Sequence, residues 1–383
     1  MARRMATRWM GWMAAAWLVA GCEGPAPEPT PEEDTYDWRL PAGFPKPQVP
    51  RDNPMTEAKV QLGRRLFYDE RLSFNETQSC ASCHEQARAF TDGKLHGVGS
   101  TGQVHRRNAQ GLANIAYATS LTWANPALTT LEAQALTPLF GNEPVELGFG
   151  DKQDVLLERL RADPELVARF AEAFPKEAEP VSLGTLVRAL SSFQRSLLSG
   201  NAPYDQYLYG GKKDALTAQM KRGMELFFSE RLECNHCHAG FNFQDATVHA
   251  DSSEATMPFH NTGLYNEDGK GAYPLKDRGV IELTGVPEDM GRFRAPSLRN
   301  VAVTAPYMHD GSIATLSEVL DHYAAGGRAH GLDASRVSPV QSSFVRRFVL
   351  TPQEKEDVLA FFDALTDTDF LTDPRFADPA LHP

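Results

Sequence analysis

Two runs of five residues constrain this chain more than anything else in it: Cys80-Ala81-Ser82-Cys83-His84 and Cys234-Asn235-His236-Cys237-His238. Both read C-x-x-C-H. In that pattern two thiols on one helical turn match the two vinyl groups of a haem. The adjacent histidine then supplies the proximal iron ligand. A single copy is also compatible with chance or with a redox dithiol. The chain has five cysteines, and the two pairs use all but Cys22. Zinc would draw on the same residue types, but the duplicated, immediately adjacent histidine argues against it. A C-x-x-C loop is also a poor structural disulfide. We therefore expect two covalently bound haem c groups, attached through Cys80, Cys83, Cys234 and Cys237, with His84 and His238 as iron ligands.

The duplication runs beyond the motifs. Gly63-Arg64-Arg65-Leu66-Phe67-Tyr68-Asp69-Glu70-Arg71-Leu72 precedes the first, and Gly223-Met224-Glu225-Leu226-Phe227-Phe228-Ser229-Glu230-Arg231-Leu232 the second; six of ten positions are identical at an offset of 160. Each block reads as the helix entering a cytochrome c module. With 383 residues the chain has room for about two domains. Helical periodicity covers 152–175, 180–198, 213–228, 315–325 and 352–365, and little reads as strand. The expected fold is mainly α, with two cytochrome c-like haem domains packed face to face. The N-terminal one spans 56–200 and the C-terminal one 201–383. Gly200-Asn201-Ala202-Pro203 and Gly210-Gly211 mark the join.

Ahead of the domains, Arg3, Arg4 and Arg8 precede an apolar run from Trp9 to Ala20, which is too short to span a bilayer. It ends in Leu18-Val19-Ala20-Gly21-Cys22, which resembles a bacterial lipobox. Residues 1–21 are thus expected to be a lipoprotein signal peptide and Cys22 the lipidated residue. The alternative is an ordinary signal peptide with a stray cysteine. Residues 22–55, rich in proline and acids, are expected to be a tether. The expected location is periplasm-facing, held to a Gram-negative membrane by lipid alone. Glu23 in place of an aspartate favours the outer membrane. The formal charge of −12 and the lack of a basic stretch argue against nucleic acid as a partner.

Further stretches carry a resemblance: Arg107-Asn108-Ala109, Leu131-Glu132-Ala133-Gln134, Pro144-Val145-Glu146-Leu147-Gly148, and the long run Ala295-Pro296-Ser297-Leu298-Arg299-Asn300-Val301-Ala302-Val303-Thr304-Ala305-Pro306-Tyr307-Met308-His309-Asp310-Gly311. In these, over about residues 55–370, the chain resembles the bacterial di-haem cytochrome c peroxidases and MauG-type enzymes. The resemblance implies that the first haem binds peroxide. Glu146 is then the distal acid–base group, and Gln134 and Pro138 line the same pocket. In ordinary peroxidases a histidine caps the resting first haem. Here that position falls near Ser100, with His96 and His105 out of register. An iron open without prior reduction is therefore expected, with capping by His96 or His105 as the alternative.

The resemblance places the second haem's distal ligand seventeen residues after Pro306, at Tyr323, with Met308 and His322 as rivals. MauG-type enzymes have tyrosine there and ordinary peroxidases methionine. Trp123 matches the tryptophan lying between the haems and is expected to relay electrons. A calcium ion between the domains would take the Asn108 side chain and the carbonyls of Thr304 and Pro306. The wording of Tyr36-Asp37-Trp38-Arg39-Leu40-Pro41, Asp52-Asn53-Pro54-Met55-Thr56 and Leu121-Thr122-Trp123-Ala124-Asn125-Pro126 looks like the MbnH subgroup. That likeness implies oxidation of a tryptophan in an MbnP-like copper-binding partner to kynurenine, by hydrogen peroxide through a high-valent bis-haem state. The alternatives are a cytochrome c peroxidase fed by a small cytochrome, and a di-haem electron carrier.

Overall fold

The computed structural model describes residues 34–328 and 337–381. The expected signal peptide and Cys22 lie outside them. The architecture is helical, and among the described residues pairing between extended segments is confined to isolated bridges such as Val98 with Val104.

Each haem domain is built on one crossed pair of helices. In the first, α1 (Glu57–Phe67) crosses α5 (Leu183–Ser196); in the second, α7 (Ala218–Phe227) crosses α10 (Pro352–Asp363). All four have an N-cap hydroxyl bonded to a first-turn N–H, from Thr56, Ser182, Thr217 and Thr351. The repeated glycines sit where the pairs touch. A Cβ on Gly63 would stand 1.9 Å from the Ala189 carbonyl oxygen, and one on Gly223 1.8 Å from that of Asp357. Only a residue without a side chain permits such an approach. Phe193 and Phe361 pack beside these crossings, against Phe67 and Phe227.

Between the two helices of the first pair come α2 (Leu131–Phe140), α3 (Gln153–Arg161) and α4 (Pro164–Ala173), and α6 (Pro203–Leu208) links the pairs. Between the helices of the second pair come the short α8 (Ile281–Thr284) and α9 (Leu316–Ala324), and α11 (Thr368–Thr372) follows it. The periodic stretch 152–175 is broken in two because Asp163 caps α4, accepting from the N–H groups of Glu165 and Leu166, and Pro164 starts the new helix.

Among the described residues three apolar clusters result: one per domain, and a third where Trp123 and Ala124 enter among Tyr273, Phe293 and Ile313 of the second half. The third cluster is the interface between the domains.

Two segments differ from expectation. Residues 34–55, read as part of the tether, are packed: Met55 and Asn53 are fully buried, and Phe44 stacks edge-on to Tyr117 and Phe241. The proline content that suggested a linker instead shapes an extended strap across both domains. The C-terminal tail, assigned to the second domain, closes the core of the first. Phe370 and Phe376 belong to that core, and Phe370 meets Phe90 at 5.7 Å. Asp367 ties the tail down by accepting from the N–H groups of Gly200 and Asn201, both at 2.9 Å.

Candidate functional site

Both C-x-x-C-H motifs form a single tight turn, Cys80–Ser82 and Cys234–His236. The four cysteines are unpaired and half-buried. Burial pushes the Cys80 and Cys234 thiols up to about 12 and Cys83 up to about 11, unlike the depressed values of redox dithiols.

The two histidines are held alike. His84 Nδ1 lies 2.7 Å from the Phe90 carbonyl oxygen, and His238 Nδ1 3.1 Å from that of Phe243. Both phenylalanines have positive φ, 64° and 49°, a conformation costly for an aromatic residue. The strain turns each carbonyl toward its histidine. With Nδ1 donating, Nε2 is the ligating face, and burial lowers both histidines toward the neutral, metal-binding form. Beside the first motif is a cavity of about 410 Å3 lined by Phe67, Cys80, Cys83, His84 and residues of α2. Paired thiols, an oriented imidazole and a largely apolar cavity of ligand size fit a covalently bound haem.

Glu146 lines that cavity together with Gln134 and Pro138. Its backbone is clamped on both sides. The Ser100 N–H donates to the Glu146 carbonyl at 2.7 Å, and the Leu147 N–H donates to the Pro138 carbonyl at 2.9 Å. Gly99 makes room, since a Cβ there would stand 1.8 Å from the Val145 carbonyl. Burial pushes the Glu146 carboxyl up to about 7. It is close enough to Cys80 and Cys83 for its charge to raise both thiols.

His105 also lines the cavity, with Nε2 buried and without a hydrogen-bond partner, whereas His96 does not line it. Sequence register passed over His105; the 97–105 hairpin, closed by the Val98–Val104 bridge, turns it inward.

At the second motif, burial and then the charges of Cys237 and Cys234 push the Tyr323 phenol up, which places it beside both cysteines. Its neighbour His322 turns away, with Nε2 3.1 Å from the Thr262 carbonyl. Met308, at φ 73°, lines a crevice between the domains. His260 and Asp245, which the sequence reading missed, pair at 2.6 Å next to Cys237.

Trp123 is 9% exposed and lines both the first cavity and the interdomain crevice. Its Nε1 donates to the Asn108 carbonyl at 2.8 Å. The three residues expected to hold calcium, Asn108, Thr304 and Pro306, line that same crevice. Asn108 Nδ2 is spent on the Lys94 carbonyl at 2.7 Å, which leaves Oδ1 as its acceptor.

Comparison with known proteins agrees with this geometry. The family model for di-haem cytochrome c peroxidase matches residues 57–213. The chain is 36% identical to a cytochrome-c peroxidase of Denitromonas iodatirespirans, over 87% of this chain and 88% of that protein. It is 33% identical to the methylamine utilization protein MauG of Methylorubrum extorquens, over 91% of each. The crystal structure of a MauG-like protein associated with microbial copper homeostasis superposes with a TM-score of 0.87 at 51% identity, covering 90% of this chain and 99% of that one. The di-haem peroxidase BthA of Burkholderia thailandensis, 22% identical with a TM-score of 0.66, shares the fold. The chain belongs to the di-haem cytochrome c peroxidase and MauG family and is an oxidoreductase of that family.

Proposed function

We propose that this enzyme uses hydrogen peroxide at its first haem to oxidise a tryptophan of a copper-binding partner protein, with kynurenine as the product. The observation that carries this reading is the asymmetry of the two motifs. An acid with a near-neutral pKa stands in the cavity of the first, and a phenol stands beside the cysteines of the second. An electron carrier needs neither. The copper association of the 51% identical structure supports the class of partner.

Bound haem supplies the iron at which peroxide is cleaved and the capacity to hold oxidising equivalents. The protein's own residues do the rest. His84 and His238 would hold the two irons, each through the Nε2 that its Nδ1–carbonyl contact leaves available. Glu146 takes the proton from the near oxygen of peroxide and returns it to the far one, and a group poised near neutral pH serves both halves of that transfer. Gln134 and Pro138 wall the pocket. Trp123 bridges the two haem sites and relays electrons. Tyr323 would offer the second iron an anionic oxygen ligand, which favours its oxidised state. Asn108, Thr304 and Pro306 would offer oxygen ligands to a calcium ion in the crevice that Trp123 also lines. Cys22 carries lipid and tethers the enzyme to the periplasmic face of the outer membrane. Among the described residues no helix is long and apolar enough to cross a membrane.

One observation favours a second reading. His105, with its free Nε2 in the first cavity, is placed to cap the resting iron as in a peroxidase fed by a small cytochrome. A cytochrome c551 peroxidase of Pseudomonas aeruginosa is 32% identical over 70% of the chain. One equivalent of peroxide added to the fully ferric protein decides between them. Rapid loss of both ferric EPR signals without reductant supports the first reading, and mass spectrometry of the copper-binding partner then locates the modified tryptophan. No reaction until one haem is reduced selects the second and withdraws the role given to Tyr323.

A further inference from the structure

Arg294 is a buried cation without a carboxylate partner among the described residues. It is 4% exposed. Its Nε donates to the Thr122 carbonyl at 3.2 Å, and its Nη2 donates to Gln110 Oε1. Its backbone N–H is bonded to the Trp123 carbonyl at 2.8 Å. No carboxylate comes within 4.0 Å of it among the described residues. Two arginines equally buried are treated differently: Arg299 pairs with Asp205 at 2.5 Å and Arg195 with Glu132 at 2.9 Å. The acid whose charge acts on Arg294 is Asp245, whose Oδ2 is engaged by His260 at 2.6 Å. An unpaired buried guanidinium is costly, and burial here drags Arg294 down to about 10.

The surroundings indicate which anion would suit this guanidinium. Arg294 belongs to the second half of the chain but lines the interdomain crevice, of about 90 Å3. Asn108, Gln110, Ile115 and Trp123 line both this crevice and the first haem cavity, so the two are adjacent through a shared wall. Haem carries two carboxylates on the edge away from its thioether bonds, and a haem fixed by Cys80 and Cys83 points that edge away from the motif. We propose that Arg294 receives a carboxylate of the first haem from across the domain boundary, as a charge-assisted pair beside Trp123. The second domain thereby supplies the positive charge that favours the reduced state of the first haem. This rests on the chain binding two haems.

The test uses the full-length holoprotein. Haem content is measured first on the wild type and on the Arg294→Met and Arg294→Lys variants. A wild type without two haems refutes the cofactor reading, not this pairing. Each haem is then titrated by spectroelectrochemistry. In Arg294→Met the ferric-to-ferrous ratio of the first haem should rise at least tenfold at a given potential, which is about 59 mV for a one-electron couple. Arg294→Lys should recover most of that shift, and the second haem should move less than threefold. A loss of packing alone would not be rescued by lysine. A shift confined to the second haem overturns the assignment to the first, and no shift in either overturns the pairing. If Arg294→Met does not fold, resonance Raman of the propionate bending modes in the wild type and Arg294→Lys decides. Frequencies of a free propionate in the wild type refute the proposal, and a shift between the two proteins supports it.

Discussion

Replacing Glu146 by glutamine keeps the shape of the side chain and removes its capacity to carry a proton. The Glu146→Gln variant should fold normally, because the contacts that fix this residue come from its backbone and its neighbours' backbones. With the carboxyl at about 7, roughly a tenth is ionised at pH 6 and roughly nine tenths at pH 8. If the carboxylate accepts the peroxide proton, the rate of peroxide consumption in the wild type rises about ninefold between those pH values. The variant should be slower by about 10²–10⁴ at pH 8, the usual worth of a positioned acid–base group, and flat with pH. Stopped-flow mixing of ferric enzyme with excess peroxide, read at the Soret band, measures both. A variant within tenfold of the wild type, or one with the same rise, would refute the assignment. Stability supplies a second sign. The raised carboxyl favours the protonated form in the folded state. Stability should therefore fall as pH rises from the ordinary 4.5 to about 7 in the wild type, and not in the variant.

Three further outcomes follow from the geometry. Trp123→Phe leaves the Asn108 carbonyl without its 2.8 Å donor, costing about 1–3 kcal/mol, and should slow partner oxidation while leaving the first peroxide step intact; unchanged partner turnover removes the relay role. Tyr323→Phe should alter the spectrum and potential of the second haem only, with His322 still engaged by Thr262, and an unchanged second-haem spectrum would exclude Tyr323 as its ligand. Gly223→Ala forces a methyl to within 1.8 Å of the Asp357 carbonyl, so the α7–α10 crossing must open at a cost of about 1–3 kcal/mol or more, read as a fall in Tm of several degrees; a Tm within error of the wild type would show that the crossing has slack.

Local chemistry was legible in the sequence, and long-range contact was not. The C-x-x-C-H turns carry their meaning within five residues. The repeated glycines announced two related modules because each crossing demands the same missing side chain. Resemblance directed attention to Glu146 and Tyr323, and the structure sets each beside a cysteine pair. Arg294 gave no signal, since a lone arginine is ordinary until its neighbours are known, and the sequence left His96 and His105 as equal alternatives, of which only His105 lines the cavity. Thr122 and Gln110, the partners of Arg294, lie 172 and 184 residues away. The 34–55 strap was misread because prolines mark a linker by composition, while packing by Phe44 and Met55 is invisible to composition. Helix α2 escaped notice because Pro138 lies inside it.

The tail that closes the first core also sets an order of manufacture. Phe370 packs on Phe90, the residue whose carbonyl aims His84, and Tyr68 reaches the Phe376 carbonyl at 2.7 Å. The earlier module is thus completed by residues made after the later one. Until they arrive, the first motif belongs to a domain with one wall missing, and its cysteines remain within reach of whatever attaches the haem. A chain that stops before Phe370 would keep both motifs and lose the back wall of its first site, so the first site is finished only after the second module has been made.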